Sequence, residues 1–295
     1  MEQITNIQSE LNAFLLIYFL ELEIFVNSNT EELKVIKFQS EEANTDEFIK
    51  KHFKNLILNR NDISDTAIKE VNTSNSTGHH KIEVKNLFKF KITAVYIPEE
   101  LSAEQKSNIA KSKKSVYTNP DLLLKIEDGE NIYFESLELK STKNNNIPGS
   151  SVQQVSPLEW VIFIKRGEKK IEVSTGHYIN SITEKLPFPD RSPRPQVGFN
   201  TLLEWNERNR VLQDGILTII DNPEITLQKI KLLQNWQDFL ATEWLTIIKS
   251  EEAKNNEKWF NNTLRIFAIK FLEYSNNLSA DDRIRLLVKL NTLIK

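Results

Sequence analysis

The chain has 295 residues, 39% of them hydrophobic, which is enough for a substantial core in one large domain or two modest ones. It has no cysteine, so disulfide frameworks, thiol nucleophiles and Cys-based metal sites are excluded, and a reducing, cytoplasmic setting is expected. A formal net charge of -3 lacks the whole-chain basicity that usually marks a nucleic-acid binder, so any such function must rest on local charge.

The N-terminal stretch Ala13 to Val26 is strongly apolar. It has no basic leader, and Glu21 and Glu23 interrupt it, so it reads as a core helix rather than a signal peptide or membrane span, and no membrane association is expected. A second helix is expected behind a cap at Thr45, with Phe48, Phe53 and Leu56 to Leu58 on or near one side. "NTSNSTGHH" reads as a polar loop, and Leu87 to Val95 alternates like a half-buried strand. "PEELSAEQKSNIAKSKK", with acids in front and lysines behind, predicts a short helix. Between Leu122 and Leu139 two apolar runs flank "EDGEN", and Asp-Gly there is a strong hairpin signal because glycine tolerates the positive φ of such turns. Beyond the loop "NNNIPGSSVQQVSP", "EWVIFIKRGEKKIEVST" predicts two strands about Gly167, and "LPFPDRSPRPQVGF" an exposed segment punctuated by prolines. From Pro223 to the end the spacing is helical, with Ser279 capping the last helix. Residues 1–222 are therefore expected to form the main α/β core and 223–295 a helical region that completes the core, dimerises or grips a ligand.

The chemistry concentrates in the hairpin. A fold about the Gly129–Glu130 bond sets Asp121 opposite Glu138, and strand alternation puts Ser136, Glu138 and Lys140 on one face with Leu137 and Leu139 on the other. Two facing carboxylates need a cation, a shared proton or open water. Mg²⁺ suits this set, since it takes oxygen ligands and is commonly bound by one or two carboxylates together with a substrate phosphate. A lysine beside it can hold the attacking water and offset the charge that builds at phosphorus. The plain alternative is a solvated strand end whose Glu138 and Lys140 form a surface pair worth ~0–1 kcal/mol.

Asn119-Pro120-Asp121 followed by Glu138-Leu139-Lys140 resembles the PD-(D/E)xK nuclease superfamily, and most closely its type II restriction endonucleases. The local resemblance spans about Tyr117 to Arg166. It implies a restriction-endonuclease-like mixed central β-sheet flanked by helices. It also implies that Asp121, Glu138 and the backbone carbonyl of Leu139 hold Mg²⁺, with Mn²⁺ able to substitute, and that Lys140 assists the attacking water. The activity implied is cleavage of double-stranded DNA at a short specific sequence, leaving 5′-phosphate ends. A homodimer is expected if that sequence is palindromic, with a DNA methyltransferase as genetic partner. Two rivals stand beside it: a repair or recombination nuclease of the same superfamily without fixed specificity, and a non-catalytic helical scaffold or DNA-binding protein.

An upstream acid often joins such a metal site in the family, and Glu47 and Glu70 are the candidates here. Gln153 and Gln154 could orient a phosphate or read adenine, and Arg191 and Arg194 could reach guanine or phosphate from their stiffened loop. Lys113 and Lys114, with Lys111, form a basic cluster suited to phosphate, or a solvated helix end. His79, His80 and His177 lack the spacing of a zinc site, and Thr175 to Tyr178 could be a DNA-facing turn. Trp236, Trp244 and Trp259 read as core or interface aromatics.

Overall fold

A computed structural model describes residues 2–34, 47–75, 78–113, 120–150, 156–167, 170–183, 194–250 and 258–294. In chain order the elements are α1 (Glu2–Ser28), α2 (Glu31–Lys34), α3 (Glu47–Asn59), β1 (Glu70–Asn75), β2 (Gly78–Glu83), β3 (Lys91–Tyr96), α4 (Ala103–Lys113), β4 (Leu122–Glu127) and β5 (Ile132–Thr142). They continue with β6 (Asn146–Pro148), β7 (Trp160–Arg166), β8 (Ile171–His177), α5 (Tyr178–Ser181), β9 (Gln196–Gly198), α6 (Phe199–Asn209), β10 (Arg210–Gln213) and β11 (Ile216–Ile220). Four helices close the chain: α7 (Pro223–Gln234), α8 (Trp236–Lys249), α9 (Lys258–Asn276) and α10 (Ala280–Leu293).

The fold is mixed α/β. Its central sheet has five strands in the order β3-β4-β5-β7-β8, antiparallel except for the parallel pair β5 and β7. Leu122, Leu124 and Ile126 on β4, Leu137 and Leu139 on β5, and Trp160, Ile162 and Ile164 on β7 form one buried face. That face packs against α1, whose Leu11, Phe14, Leu15, Tyr18, Phe19 and Leu22 are buried on nearly every side, as expected of a helix apolar all round. Val161 and Phe163 point the other way, into a second cluster with Tyr178, Ile179, Phe199, Leu202 and Leu233. Helix α1 also guards the sheet's edge at β8. The Asn27 side chain donates to the Val173 carbonyl and accepts from its N–H, both at 2.8 Å, and so occupies the place of a further strand.

Several expectations shift. On α3 the buried stripe is Ile49, Phe53 and Ile57, at four-residue spacing, and Phe48 is exposed; its expected cap Thr45 lies outside the described residues. The polar stretch expected to be a loop is instead largely strand, with β1 and β2 pairing from Glu70↔Glu83 to Asn75↔Gly78. Leu87 ends a short 3₁₀ turn, and the half-buried strand starts only at Lys91. A second small sheet, β10-β11-β1-β2, was not anticipated, although Asp214 and Gly215 carry the paired positive φ values (53° and 79°) of a tight hairpin turn. The helix start at Ser279 holds, its hydroxyl accepting the Asp282 N–H. No helix among the described residues is long and apolar enough to cross a membrane.

By compactness the chain divides into a first unit, Met1–Phe188 with Ser192–Gln234, and a second made chiefly of Asn235–Lys295. Helix α7, at the head of the region expected to be helical from Pro223, belongs to the first unit and buries Leu233 in its second cluster.

Candidate active site

The hairpin has the anticipated register. Leu122 pairs with Leu137 and Glu127 with Ile132, around a turn in which Gly129 has φ +92°. Carrying the register outward past Leu122 sets Asp121 opposite Glu138 and Pro120 opposite Leu139. Proline has no N–H, so it cannot donate to the Leu139 carbonyl as a further ladder pair would. The Leu139 N–H donates to the Asp121 carboxylate, to Oδ2 at 2.9 Å. In an extended strand a residue's carbonyl points to the same edge as its N–H. The Leu139 carbonyl is thereby directed to the edge where Asp121 stands, which gives the Pro-Asp order a structural reason.

Alternation does the rest. Leu137 and Leu139 are fully buried in the first core, while Ser136, Glu138 and Lys140 share the opposite face. Glu138 and Lys140 are each only 6% exposed, so they are not a solvated surface pair. The Lys140 ammonium lies 2.5 Å from Glu138 Oε1 and donates to Ser150 Oγ at 2.9 Å; the Ser150 hydroxyl donates to the same Glu138 oxygen at 2.5 Å. Ser150 is itself fixed by its N–H, which donates to the Tyr178 hydroxyl oxygen at 2.8 Å. Gly149 allows this approach. A Cβ there would run into the Tyr178 hydroxyl and stand 2.6 Å from the Pro195 carbonyl oxygen.

One further charge enters from α3. Lys50 Nζ is 3.1 Å from Asp121 Oδ1 and 3.6 Å from Glu99. Burial opposes its charge, but the Asp121 carboxylate, with Glu99 and Glu138 behind it, holds the Lys50 ammonium above the ordinary lysine value. At Glu138, burial pushes the carboxyl up, the Lys140 ammonium pulls it down and the Asp121 charge pushes it up again, with a net rise. A buried carboxylate raised by a second carboxylate is stabilised by anything that brings more positive charge.

The donor set suits a hard divalent cation, because two carboxylates and a backbone carbonyl are all oxygen ligands and Mg²⁺ commonly takes only one or two carboxylates. Among the described residues no third acidic or histidine side chain joins them. Glu47, expected as a further ligand, opens α3 with its side chain 68% exposed and pairs with Lys51 one turn on; Glu70 lies on β1 in the other sheet and pairs with Lys81. Both acids have local partners, and the residue that α3 sends to Asp121 is Lys50.

Arg194 is exposed, Lys111 and Lys113 lie in the last turn of α4, and Lys114, Gln153, Gln154 and Arg191 lie outside the described residues. Thr175 to Tyr178 is not a turn facing outward: it is the end of β8 running into α5, with Thr175 and Tyr178 fully buried. There the His177 ring packs on Trp160 at 4.4 Å and its Nδ1–H donates to the Leu158 carbonyl at 2.9 Å. Trp259 is 59% exposed. No family model, curated protein or solved structure matches the chain.

Sequence reasoning missed Lys50 and Ser150, and it placed Tyr178 in a DNA-facing turn rather than against Ser150. Ser150 lies in a Gly-Ser-Ser loop like many others, and nothing in the sequence ties Tyr178 to that loop. Lys50 follows the buried Ile49 on α3, but so many lysines crowd that helix that none stands out.

Proposed function

We propose that the chain is a Mg²⁺-dependent endonuclease that hydrolyses phosphodiester bonds of double-stranded DNA at a short specific sequence, in the manner of the type II restriction endonucleases it resembles. The observation that carries this reading is the hairpin register, which brings Asp121, Glu138, the Leu139 backbone and Lys140 to one strand end with both members of the Glu-x-Lys pair buried. Burying such a charge cluster costs more than replacing it with apolar residues would, which favours a functional over a structural reason for it.

Bound to these oxygens, the metal would supply Lewis-acid polarisation of the phosphate and a lowered pKa for the attacking water. The chain's own residues do the positioning. Leu139 N–H fixes the Asp121 carboxylate, and Ser150, held by Tyr178, fixes both Glu138 and Lys140. Lys140 offers N–H donors to water or to the phosphate oxygens on which charge develops. A homodimer, 5′-phosphate ends and a companion DNA methyltransferase belong to this reading.

Digestion of phage and plasmid DNA by the purified protein, with Mg²⁺ or EDTA, is the test. Discrete fragments are expected that vanish in EDTA and fall by at least ~100-fold in Asp121→Ala, Glu138→Ala and Lys140→Ala. A smear lost in the same variants would make it a nuclease without fixed specificity. DNA left intact on methylated and unmethylated substrates alike would overturn the reading.

A further inference from the structure

Asp121 has two carboxylate oxygens, and they are used differently. Oδ2 takes the Leu139 N–H, a backbone contact that belongs to the strand end itself. Oδ1 takes the Lys50 ammonium at 3.1 Å, a side-chain contact made by a different element, α3. Both members of that pair are sheltered, their side chains 15% and 14% exposed, so the attraction is not screened as it would be at an open surface. Lys50 also has a second carboxylate within reach: Glu99, 3.6 Å away and 64% exposed.

A lysine therefore stands on one oxygen of the very carboxylate that the proposed chemistry assigns to a divalent cation. A monovalent and a divalent cation on the same carboxylate oxygen repel each other at such distances, so each weakens the other's hold on it. Building on the metal-dependent reading above, we propose that Lys50 is the resident counter-ion of Asp121, which a divalent metal must displace, and that Glu99 is the seat to which its ammonium moves. Two consequences follow from charge alone. Without metal, Lys50 and Lys140 offset the charges of Asp121 and Glu138, so the site repels a DNA phosphate less than two bare carboxylates would. Metal affinity of the free protein is held down by the work of breaking the Lys50–Asp121 pair.

Mn²⁺ binding to the full-length protein without DNA, followed by the electron paramagnetic resonance signal of free Mn²⁺, tests this. Lys50→Met keeps the apolar stem and removes the charge; it is expected to bind Mn²⁺ roughly tenfold more tightly than the wild type. Lys50→Arg keeps the charge and is expected to stay within about twofold of wild type. Unchanged or weaker Mn²⁺ binding by Lys50→Met, with circular dichroism and thermal unfolding intact, would overturn the proposal; if that variant does not fold, Lys50→Gln takes its place under the same criteria. Asp121→Ala separates the two readings. If it abolishes Mn²⁺ binding while Lys50→Met changes nothing, only the role of Lys50 fails; if it leaves binding unaltered, the metal-dependent reading fails with it.

Discussion

Glu23 shows how this chain manages charge away from the candidate site. It sits on α1 among the most apolar residues of the protein, where an unpaired carboxylate would cost several kcal/mol. Its two oxygens are both used. Oε2 accepts the Thr175 N–H at 2.6 Å and the Thr175 hydroxyl at 3.0 Å, and Oε1 pairs with the Arg210 guanidinium at 2.5 Å. One side chain thus ties α1 to β8 and to the start of β10. Arg210→Met is expected to destabilise the fold by about 3–5 kcal/mol, because it leaves the carboxylate buried without its cation. Urea unfolding would measure this, and a loss below ~1 kcal/mol would mean that water reaches Glu23 in the variant. Nothing in the local sequence announces the pair. Its members are 187 positions apart, and only the packing of α1 against the sheet brings them together.

The β4–β5 hairpin is the element whose sequence and structure agree most closely, because its information is local. Asp-Gly sets the turn, the turn sets the register, and the register decides which carboxylates meet. Asp128 shows how the turn is held. Partial burial works against its charge, but the Tyr133 hydroxyl and the N–H groups of Asn131 and Glu130 outweigh that, and bring its carboxyl from 3.8 down to about 2. A carboxyl whose value is lower in the folded state stabilises the fold above its unfolded value and loses that contribution as pH falls through the folded one. The stability gap between wild type and Asp128→Ala is therefore expected to be fully present near neutrality and to shrink between pH 3.8 and about 2. Urea titrations at about pH 6 and about pH 3 would show it. An equal gap at both would mean that the hydrogen bonds survive protonation and that the charge is not what holds the turn. The neighbouring elements were less legible for the opposite reason. Whether Glu47, Lys50, Lys51 or Lys54 on α3 reaches the hairpin depends on how that helix rolls over β3, and the roll is fixed by Ile49, Phe53 and Ile57 meeting the core, a contact no local pattern specifies.

At the scale of the molecule, the sequence separates a sheet-bearing region from a helical one, but the compact units part after Gln234 rather than before Pro223. The reason is burial. Leu233 on α7 sits in the same cluster as Phe163, Tyr178 and Phe199, and helical spacing alone does not tell a helix that packs on a sheet from one that packs on other helices. The residues of the candidate site lie in the first unit: Lys50, Glu99, Asp121, Glu138, Lys140, Ser150 and Tyr178. Both of the clusters that flank the central sheet draw their side chains from that unit as well. A protein ending at Gln234 is therefore expected to unfold in a single cooperative transition and to bind Mn²⁺ in a manner that Asp121→Ala abolishes. Calorimetry and the free-Mn²⁺ resonance signal would report the two properties separately. A broad, non-cooperative melt would show that the first unit's core depends on α8 to α10. A cooperative melt without Asp121-dependent Mn²⁺ binding, in a truncated protein whose full-length parent does bind, would show that the site is completed from beyond Gln234, against the placement of every residue assigned to it here.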